Sequence, residues 1–572
     1  MVQKRKFKKN SRKVLQNRED YVTRLMVNVA LLLLVLCPLA FRMIRLDFIS
    51  PSITNAGSLD TGIVYDSFSY IKMVILYAAT AILLCCFLYK LFATPYDFRF
   101  TKYDCLILLL CALLFVSFFF SEQKSIALTG FIYMFDGTLT HICFCLLFLF
   151  GFRVLSGERF YERFALPVVI VCSVNAVISL LNFFEVKIID TAIVKAILAV
   201  PEGTHPTDAM AFTSTFGNIN YLSGFGGICF AFFLTKLIMN RNKREFLSAL
   251  LLVAASFSIV VTSFSSSGFF TCVIIAPIVL VITLSQGMSK QKLAATGAGL
   301  TACVLLFLSL SAMNPLVLEE TFGMFGNLKE NVLPEVVQKS VETASNYPSD
   351  SREYAADTSA PIATYVIERA RQVQITARHT STGLLGSKDS PERVPDAVTP
   401  LPIVTAVVSS SPALELPVFP EPAVAPGTGR LYIWKETIKL IIQRPLSGYG
   451  MDTITFNFPQ RDIAKISGLG SHQIIVTKPH NAYLGYAYGA GIPALLVFLL
   501  LNLLAGGRFL IYIIHCRRNK KTISVAVLCY AMAWSAYLVQ ACVNDDLIAT
   551  APIWWTLLGI GLGVIHREMT SR

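Results

Sequence analysis

Long apolar blocks separated by short polar segments dominate the pattern of this chain. A membrane-spanning helix needs about 20 consecutive apolar residues, and such windows recur from residue 25 to residue 566. The pattern predicts an all-α polytopic membrane protein with about 12 transmembrane helices. The predicted spans are 25–44, 70–92, 104–120, 138–155, 165–184, 216–237, 247–263, 268–285, 294–313, 481–505, 523–543 and 550–566.

The composition supports this class. Hydrophobic residues make up 54% of the chain and charged residues 15%, well below the roughly 25% charged residues of an average soluble protein. The formal net charge of +13 does not indicate nucleic-acid binding, because Lys and Arg are spread over short segments between the apolar runs. We therefore expect membrane lipids as partners and no nucleic acid.

The same basic residues predict the orientation. Lys and Arg number nine in residues 1–24, three in 151–164, four in 236–245 and five in 506–521. The positive-inside rule assigns these segments to the cytoplasm. The prediction is a multi-pass protein of the cytoplasmic (inner) membrane with a basic N-terminal arm, a tail at 567–572 and both termini inside.

Residues 314–480 then form a large extracytoplasmic loop between span nine and the last three spans, 481–566. Its middle, 344–427, is rich in Pro, Ser, Thr, Ala and Val without periodicity, which is typical of disorder. A helix is predicted over 429–445, too short and too charged to span, so we expect it at the membrane surface. Its predicted apolar face consists of Leu431, Trp434, Ile438 and Ile441.

Cysteine usage indicates packing rather than covalent or metal chemistry. Nearly all of the 14 cysteines lie in or beside apolar runs, and the long loop contains none. A disulfide framework would occupy the exposed segments. Cys and His also lack the spacing of metal ligands, so we expect no metal and no other cofactor.

Polar candidates for chemistry gather at the predicted outer ends of the spans, which favours a site at the membrane surface over a path through it. Asn218 and Asn220 begin the sixth span, and Ser266 lies in the polar turn 262–270. Each has a structural alternative, because Asn caps helices and hydroxyls satisfy the backbone of tight turns.

Arg430 and His480 are the two strongest candidates. Arg430 opens the predicted surface helix, where its planar fork and the helix N-terminus both suit a phosphate. His480 follows Pro479 and is predicted in the first turn of the tenth span, where neutral imidazole accepts a proton from a hydroxyl. The alternatives are an Arg that snorkels to lipid headgroups and a His that is only a polar anchor.

Two segments, GTGRLYIWKETIKLIIQRPLSGYGMDT and HNAYLGYAYGAGIPALL, resemble the O-antigen ligase and polymerase family, which includes bacterial O-oligosaccharyltransferases. TFGNINYLSGF and VNDDLIATAPIWWTLLGIGLG resemble its other recurrent stretches, so the likeness extends over residues 210–565. The resemblance implies a metal-independent, inverting glycosyltransferase. Its donor is an undecaprenyl-pyrophosphate-linked glycan, and its acceptor is a glycan, lipid or protein.

The resemblance also implies residue roles. His480 matches the family His that orients or deprotonates the acceptor, and Asn481 beside it is a substrate-binding candidate. Arg430 matches the Arg that holds the pyrophosphate. Many relatives carry another Arg in the turn between spans seven and eight, where this chain reads SFSSSGFF. Lys478 or Arg461 is the candidate replacement.

Two functions of other classes stay open. A secondary transporter usually shows internal repeats and interrupted helices with polar groups at the membrane midplane, and the sequence indicates neither. A non-catalytic scaffold of a polysaccharide assembly complex is the second, which the missing turn Arg favours.

Overall fold

The computed structural model of the chain describes residues 2–49, 61–94, 98–186, 188, 191–199, 214–240, 242–287, 289–322, 420, 422–425, 427–471 and 474–570. The predicted disorder over 344–427 falls almost entirely outside these residues.

Helices make up most of the described chain. Those before the long loop are α1 (Val2–Leu39), α2 (Ser69–Ala93), α3 (Lys102–Phe120), α4 (Lys124–Thr129), α5 (Thr138–Phe150), α6 (Ala165–Phe183), α7 (Ala192–Leu198), α8 (Ile219–Met239), α9 (Lys243–Thr262), α10 (Ser266–Ser285), α11 (Lys290–Met313) and α12 (Leu316–Phe322). Those after it are α13 (Arg430–Gln443), α14 (Ile454–Asn457), α15 (Ile466–Leu469), α16 (Ala482–Arg518), α17 (Val525–Gln540) and α18 (Ala551–Thr570).

Within the described residues, ten helices are long and apolar enough to cross a membrane. They coincide with the first ten predicted spans, which confirms a multi-pass helical membrane protein. The last two predicted spans coincide with α17, which has only 16 residues, and with α18. The count of twelve spans stays a prediction.

A small sheet between α1 and α2 is absent from the all-α prediction. Strand β1 (Ile44–Phe48) pairs antiparallel with β2 (Gly62–Asp66), with Ile44 opposite Asp66 and Phe48 opposite Gly62. Five residues of alternation do not stand out beside apolar runs of about 20 residues, so the sequence pattern concealed this hairpin.

Helix α8 lies in the interior of the bundle, with 89% of its apolar window buried. It packs against α9, α10 and α17. Small residues permit the close approach: a Cβ on Gly268 would collide with Ser223, and one on Gly227 would press on the carbonyl of Gly268. Because α8 is fixed on several sides, the polar residues at its start have well-defined positions.

Helix α16 is broken at Gly491, whose φ is +84°. The sequence did not indicate an interrupted helix, and that expectation is wrong here. Pro493 lacks an N–H, so it cannot bond the carbonyl of Gly489. Instead Gly450 donates its N–H to that carbonyl at 2.9 Å, and Ile492 donates to the carbonyl of Pro445 at 2.7 Å. The turn at residues 445–450 thereby packs into the break and is hydrogen-bonded to both sides of it.

The predicted surface helix is α13, but its apolar residues lie on two faces. Ile433, Leu440 and Ile441 are buried against the protein. Leu431 and Ile438 are 53% and 45% exposed. The single predicted face is therefore wrong for Ile441, because the helix packs on the start of α16 with the side opposite Leu431.

Candidate active site

The helix after the His–Asn pair begins later than predicted. Asn481 is the N-cap of α16, and its side-chain oxygen accepts a hydrogen bond from the backbone N–H of Leu484 at 3.0 Å. Its amide nitrogen donates to the carbonyl of Cys542 at 3.0 Å. Both ends of this predicted substrate-binding side chain thus have protein partners, which fasten α16 to the segment before α18.

His480 precedes the cap in a left-handed backbone conformation, with φ of +52°. Such a conformation is uncommon outside glycine and clusters at functional sites. Its Nδ1 lies 3.4 Å from Oδ2 of Asp545, and its side chain is 29% exposed. This contact is long, as hydrogen bonds in ligand-free active sites often are. Because Nδ1 faces the carboxylate, Nε2 is the ring nitrogen left for a substrate.

Asp545 supplies a buried negative charge. Burial raises the pKa of this carboxyl, but the hydrogen bond and charge of His480, together with Lys478 and the N–H of Asn481, outweigh burial and lower the pKa. The Asn481 N–H donates to Oδ1 at 3.2 Å. Asp545 is therefore ionised at neutral pH.

Arg430 is the first residue of α13 and is 6% exposed. It follows three residues of positive φ: Gly427 at +72°, Thr428 at +56° and Gly429 at +85°. Gly429 is the N-cap of the helix. The Arg430 Nη1 donates to Thr428 Oγ1 at 3.0 Å, so part of the guanidinium is folded back onto its own loop.

The structure brings Arg430 and His480 to one place. Burial lowers the pKa of Arg430, while Asp545 and Tyr221 oppose that shift, so Arg430 and His480 both lie within electrostatic reach of Asp545. Trp434 also joins them, because its indole N–H donates to the carbonyl of Pro479 at 3.0 Å. The Trp434 indole, predicted on the apolar face of the surface helix, thus holds α13 against the residue before His480.

Lys478 belongs to a buried group that we call the Lys478 cluster: Lys478, Asp136 and Asp452. Its Nζ lies 2.9 Å from Asp136 Oδ2 and 3.0 Å from Asp452 Oδ1. Asp452 Oδ2 also accepts the backbone N–H groups of Phe131 at 2.7 Å and Asp136 at 3.1 Å. Burial lowers the pKa of Lys478, but the two carboxylates outweigh burial and raise it.

This pairing changes the interpretation of Lys478. The residue is 4% exposed, and its ammonium is already neutralised, so we do not retain it as a pyrophosphate contact. It instead ties three distant segments together two residues before His480.

A cavity of about 30 Å³ borders both the Lys478 cluster and Asp545. It has room for about two water molecules. The charged residues on its wall include Lys478, Asp545 and Asp546. Asp546 Oδ2 accepts the hydroxyl of Tyr486 at 3.0 Å. Burial foremost raises the pKa of Asp546, so this carboxyl takes up a proton more readily than its neighbour Asp545.

The predicted residues on α8 and in the 262–270 turn bond mainly to each other. Asn218 Oδ1 accepts the N–H of Asn220 at 2.8 Å and caps its own helix. Asn220 Oδ1 accepts the hydroxyl of Ser265 at 2.6 Å. Ser266 is buried as the first residue of α10. The structural alternatives describe these contacts better than substrate binding does.

Asn220 nevertheless connects α8 to the site. Its backbone carbonyl accepts a hydrogen bond from the side-chain amide of Asn544 at 2.9 Å, and Asn544 is the residue before Asp545.

Arg461, the other candidate replacement for the turn Arg, is exposed in the segment between α14 and α15.

Sequence reasoning missed the acidic residues. Asp545 and Asp546 stand in the stretch VNDDLIATAP, where two adjacent carboxylates in apolar surroundings were a usable signal. Asp136 and Asp452 carry no comparable signal, because each is a single charge without an acidic neighbour.

The fold and the site together define a multi-pass helical membrane protein with a His–Asp pair and an Arg beside a broken helix. Residues 405–499 match the family model described as O-antigen ligase. The matched segment contains Arg430, Lys478, His480, Asn481 and the break at Gly491. It confirms the resemblance to that family over residues 405–499 and supports an enzyme of polysaccharide biosynthesis. No curated protein matches the chain.

Proposed function

We propose that this chain is a membrane glycosyltransferase of the O-antigen ligase or polymerase type. It transfers a glycan from undecaprenyl pyrophosphate to a hydroxyl of a glycan, lipid or protein acceptor at the outer face of the cytoplasmic membrane. One observation carries the proposal: His480 lies 3.4 Å from the buried carboxylate of Asp545, and Trp434 bonds the helix that Arg430 begins to Pro479, the residue before His480.

His480 is the proposed base. Its Nε2 takes the proton of the acceptor hydroxyl while that oxygen attacks the anomeric carbon of the donor sugar. The imidazolium that forms is stabilised by Asp545, 3.4 Å from Nδ1, as a carboxylate stabilises a protonated base in hydrolases. The glycosidic bond to the pyrophosphate breaks and the anomeric configuration inverts.

Arg430 is the proposed leaving-group contact. The pyrophosphate gains negative charge as its bond to the sugar breaks, and a fixed cation stabilises that charge most in the transition state. The Arg430 Nε has no hydrogen-bond partner among the described residues. Nη1 can exchange its contact with Thr428 for a phosphate oxygen.

The broken helix α16 is the one observation that favours a transporter, since interrupted helices coordinate ions through freed carbonyls. Here the carbonyls of Tyr488 and Gly489 already accept hydrogen bonds from the N–H groups of Tyr449 and Gly450, both at 2.9 Å. Ser117 donates to Gly489 as well. The break is better explained as the seat of the 445–450 turn.

The test is glycan transfer from the lipid-pyrophosphate donor in membranes at matched protein abundance. We expect His480→Ala to lower the rate by about 10²–10⁴-fold, the range for loss of a general base. Arg430→Ala should lower it by about 10²–10³-fold, the range for one lost electrostatic contact.

His515→Ala and Arg517→Ala are matched controls, because both residues lie at the opposite end of α16, and they should transfer normally. Full transfer by either site variant contradicts its assigned role. A wild type that transfers no glycan to any acceptor class favours the scaffold.

A further inference from the structure

Tyr221 is an unassigned residue at the centre of this site. It is the third residue of α8, is 6% exposed and was not selected from the sequence. Its hydroxyl is fully buried and has no hydrogen-bond partner among the residues that the structure describes. Buried hydroxyls are almost always paired, so an unpaired one in a rigid part of the bundle requires an explanation.

The surroundings of Tyr221 are those of the proposed reaction. Among the charged residues within electrostatic reach of its side chain are Asp545, Lys478 and Arg430. Two further buried atoms nearby, Arg430 Nε and Asn544 Oδ1, also have no hydrogen-bond partner in the described part of the chain. Three elements, α8, α13 and the 541–550 segment, therefore present unpaired polar atoms to one location.

The neighbouring carboxylate does not serve as the acceptor for this hydroxyl. Asp545 Oδ1 accepts the backbone N–H of Asn481, and Oδ2 faces His480. Lys478 carries only donor hydrogens and is paired with Asp136 and Asp452. Neither Asp545 nor Asn544 Oδ1, which is unpaired among the described residues, accepts the Tyr221 hydroxyl. A ligand oxygen can therefore accept it, and the guanidinium of Arg430, within electrostatic reach, favours an oxyanion.

We propose that Tyr221 donates its phenolic hydrogen to a pyrophosphate oxygen of the lipid-linked donor, beside Arg430. This inference rests on the proposed function and adds a neutral donor to its leaving-group site. A phenol suits a location that already holds Asp545, because it contributes a hydrogen bond without another charge. No bond is formed or broken at Tyr221 itself.

The decisive variant is Tyr221→Phe, which removes only the hydroxyl. A hydrogen bond to a charged group contributes enough that transfer should fall about 10–100-fold. The ligand-free variant should unfold at the same or a higher temperature, since phenylalanine removes a buried polar atom that lacks a partner. A hydroxyl with a purely structural role would have the opposite signature.

Tyr530→Phe is the matched control. Tyr530 is also buried, and its hydroxyl donates to the carbonyl of Tyr161 at 2.6 Å. This control should lower the unfolding temperature and leave transfer per folded molecule unchanged. Equal transfer by Tyr221→Phe and wild type, or a clear drop in the unfolding temperature of ligand-free Tyr221→Phe, overturns the inference.

A binding measurement separates this inference from the proposed function. Purified wild type should be stabilised against heat by undecaprenyl pyrophosphate more than by undecaprenyl monophosphate, and Tyr221→Phe should show a smaller difference. A wild type with neither transfer nor pyrophosphate-dependent stabilisation overturns the proposed function itself. A wild type with both, matched by Tyr221→Phe, overturns only the Tyr221 contact.

Discussion

The two ends of helix α5 lie next to buried ion pairs that differ in their surroundings. Just after its last residue, Arg153 donates from Nε to Asp104 Oδ1 at 2.9 Å and from Nη2 to the other carboxylate oxygen. The same guanidinium stacks on Phe98 with its carbon 4.4 Å from the ring centroid. Just before its first residue, Asp136 belongs to the Lys478 cluster, which lies within electrostatic reach of Tyr221.

The difference distinguishes an ion pair that only stabilises the fold from a site that can bind a substrate. The Arg153–Asp104 pair is bidentate and stacked, as expected of a contact that only has to hold two helices together. The site near Asp136 combines an ion-paired cluster with the donors of Tyr221 and Arg430 that are unpaired in the described part of the chain, and with a long His480–Asp545 contact of 3.4 Å. Open, preorganised polar groups lower stability but are available to a substrate.

The largest expected effect comes from Asp545→Asn, which removes the charge that orients His480. Transfer should fall by about 10²–10⁴-fold, as for loss of the base itself. Glycan transfer in membranes at matched abundance measures it. Asp104→Asn, which disrupts only the structural ion pair, is the control. If it reduces transfer per folded molecule as strongly, the distinction between the two ends of α5 is wrong.

Next in size is Lys478→Met, which leaves two buried carboxylates without their cation. Losing one partner of a buried ion pair destabilises by about 3–5 kcal/mol. Thermal or chemical unfolding of the detergent-purified variant measures it. The combined variant Lys478→Met, Asp136→Asn, Asp452→Asn should recover much of that loss, because no unpaired charge remains; equal instability of both variants contradicts the cluster.

The smallest expected effect concerns pH. The folded pKa of Asp545 lies below its unfolded value, which is about 3.9, so ionised Asp545 stabilises the fold. That contribution is present above about pH 4 and is lost as the pH falls through the lower folded pKa. The stability difference between wild type and Asp545→Asn should therefore shrink on acidification, by at most about 1.4 kcal/mol for each pH unit that separates the folded pKa from the unfolded pKa.

Unfolding temperatures between about pH 3 and pH 7 measure this dependence. Asp47→Asn, an exposed residue on the hairpin, is the control and should not change it. A difference between wild type and Asp545→Asn that grows on acidification contradicts the assigned direction.

The spans and the two principal site residues were open to prediction because their signals are local. A run of apolar residues predicts a membrane helix regardless of its neighbours, and the helix bounds agree with those runs. Arg430 and His480 were found at the edges of such runs, where polar residues before a span attract notice. The positive charge of the short loops likewise predicts which side of the membrane each loop faces. This orientation stays a prediction.

The partners of those residues depended on the tertiary structure. Asp136 and Lys478 are separated by 342 positions yet form an ion pair, and no local pattern connects them. The break at Gly491 also required the fold: Gly and Pro in GAGIP permit a kink, but only the docked 445–450 turn supplies the hydrogen bonds that make it stable.

By itself, the sequence determined a helical membrane protein with an O-antigen ligase-like segment and polar residues at one end of its helices. Only the tertiary structure decided that Asn481 is a cap, that Lys478 is neutralised, and that Asp545 stands beside His480, with Tyr221 and Arg430 within electrostatic reach. The reason is physical. Apolar surface is a property of each segment, whereas the pairing of buried charges depends on which segments meet in space.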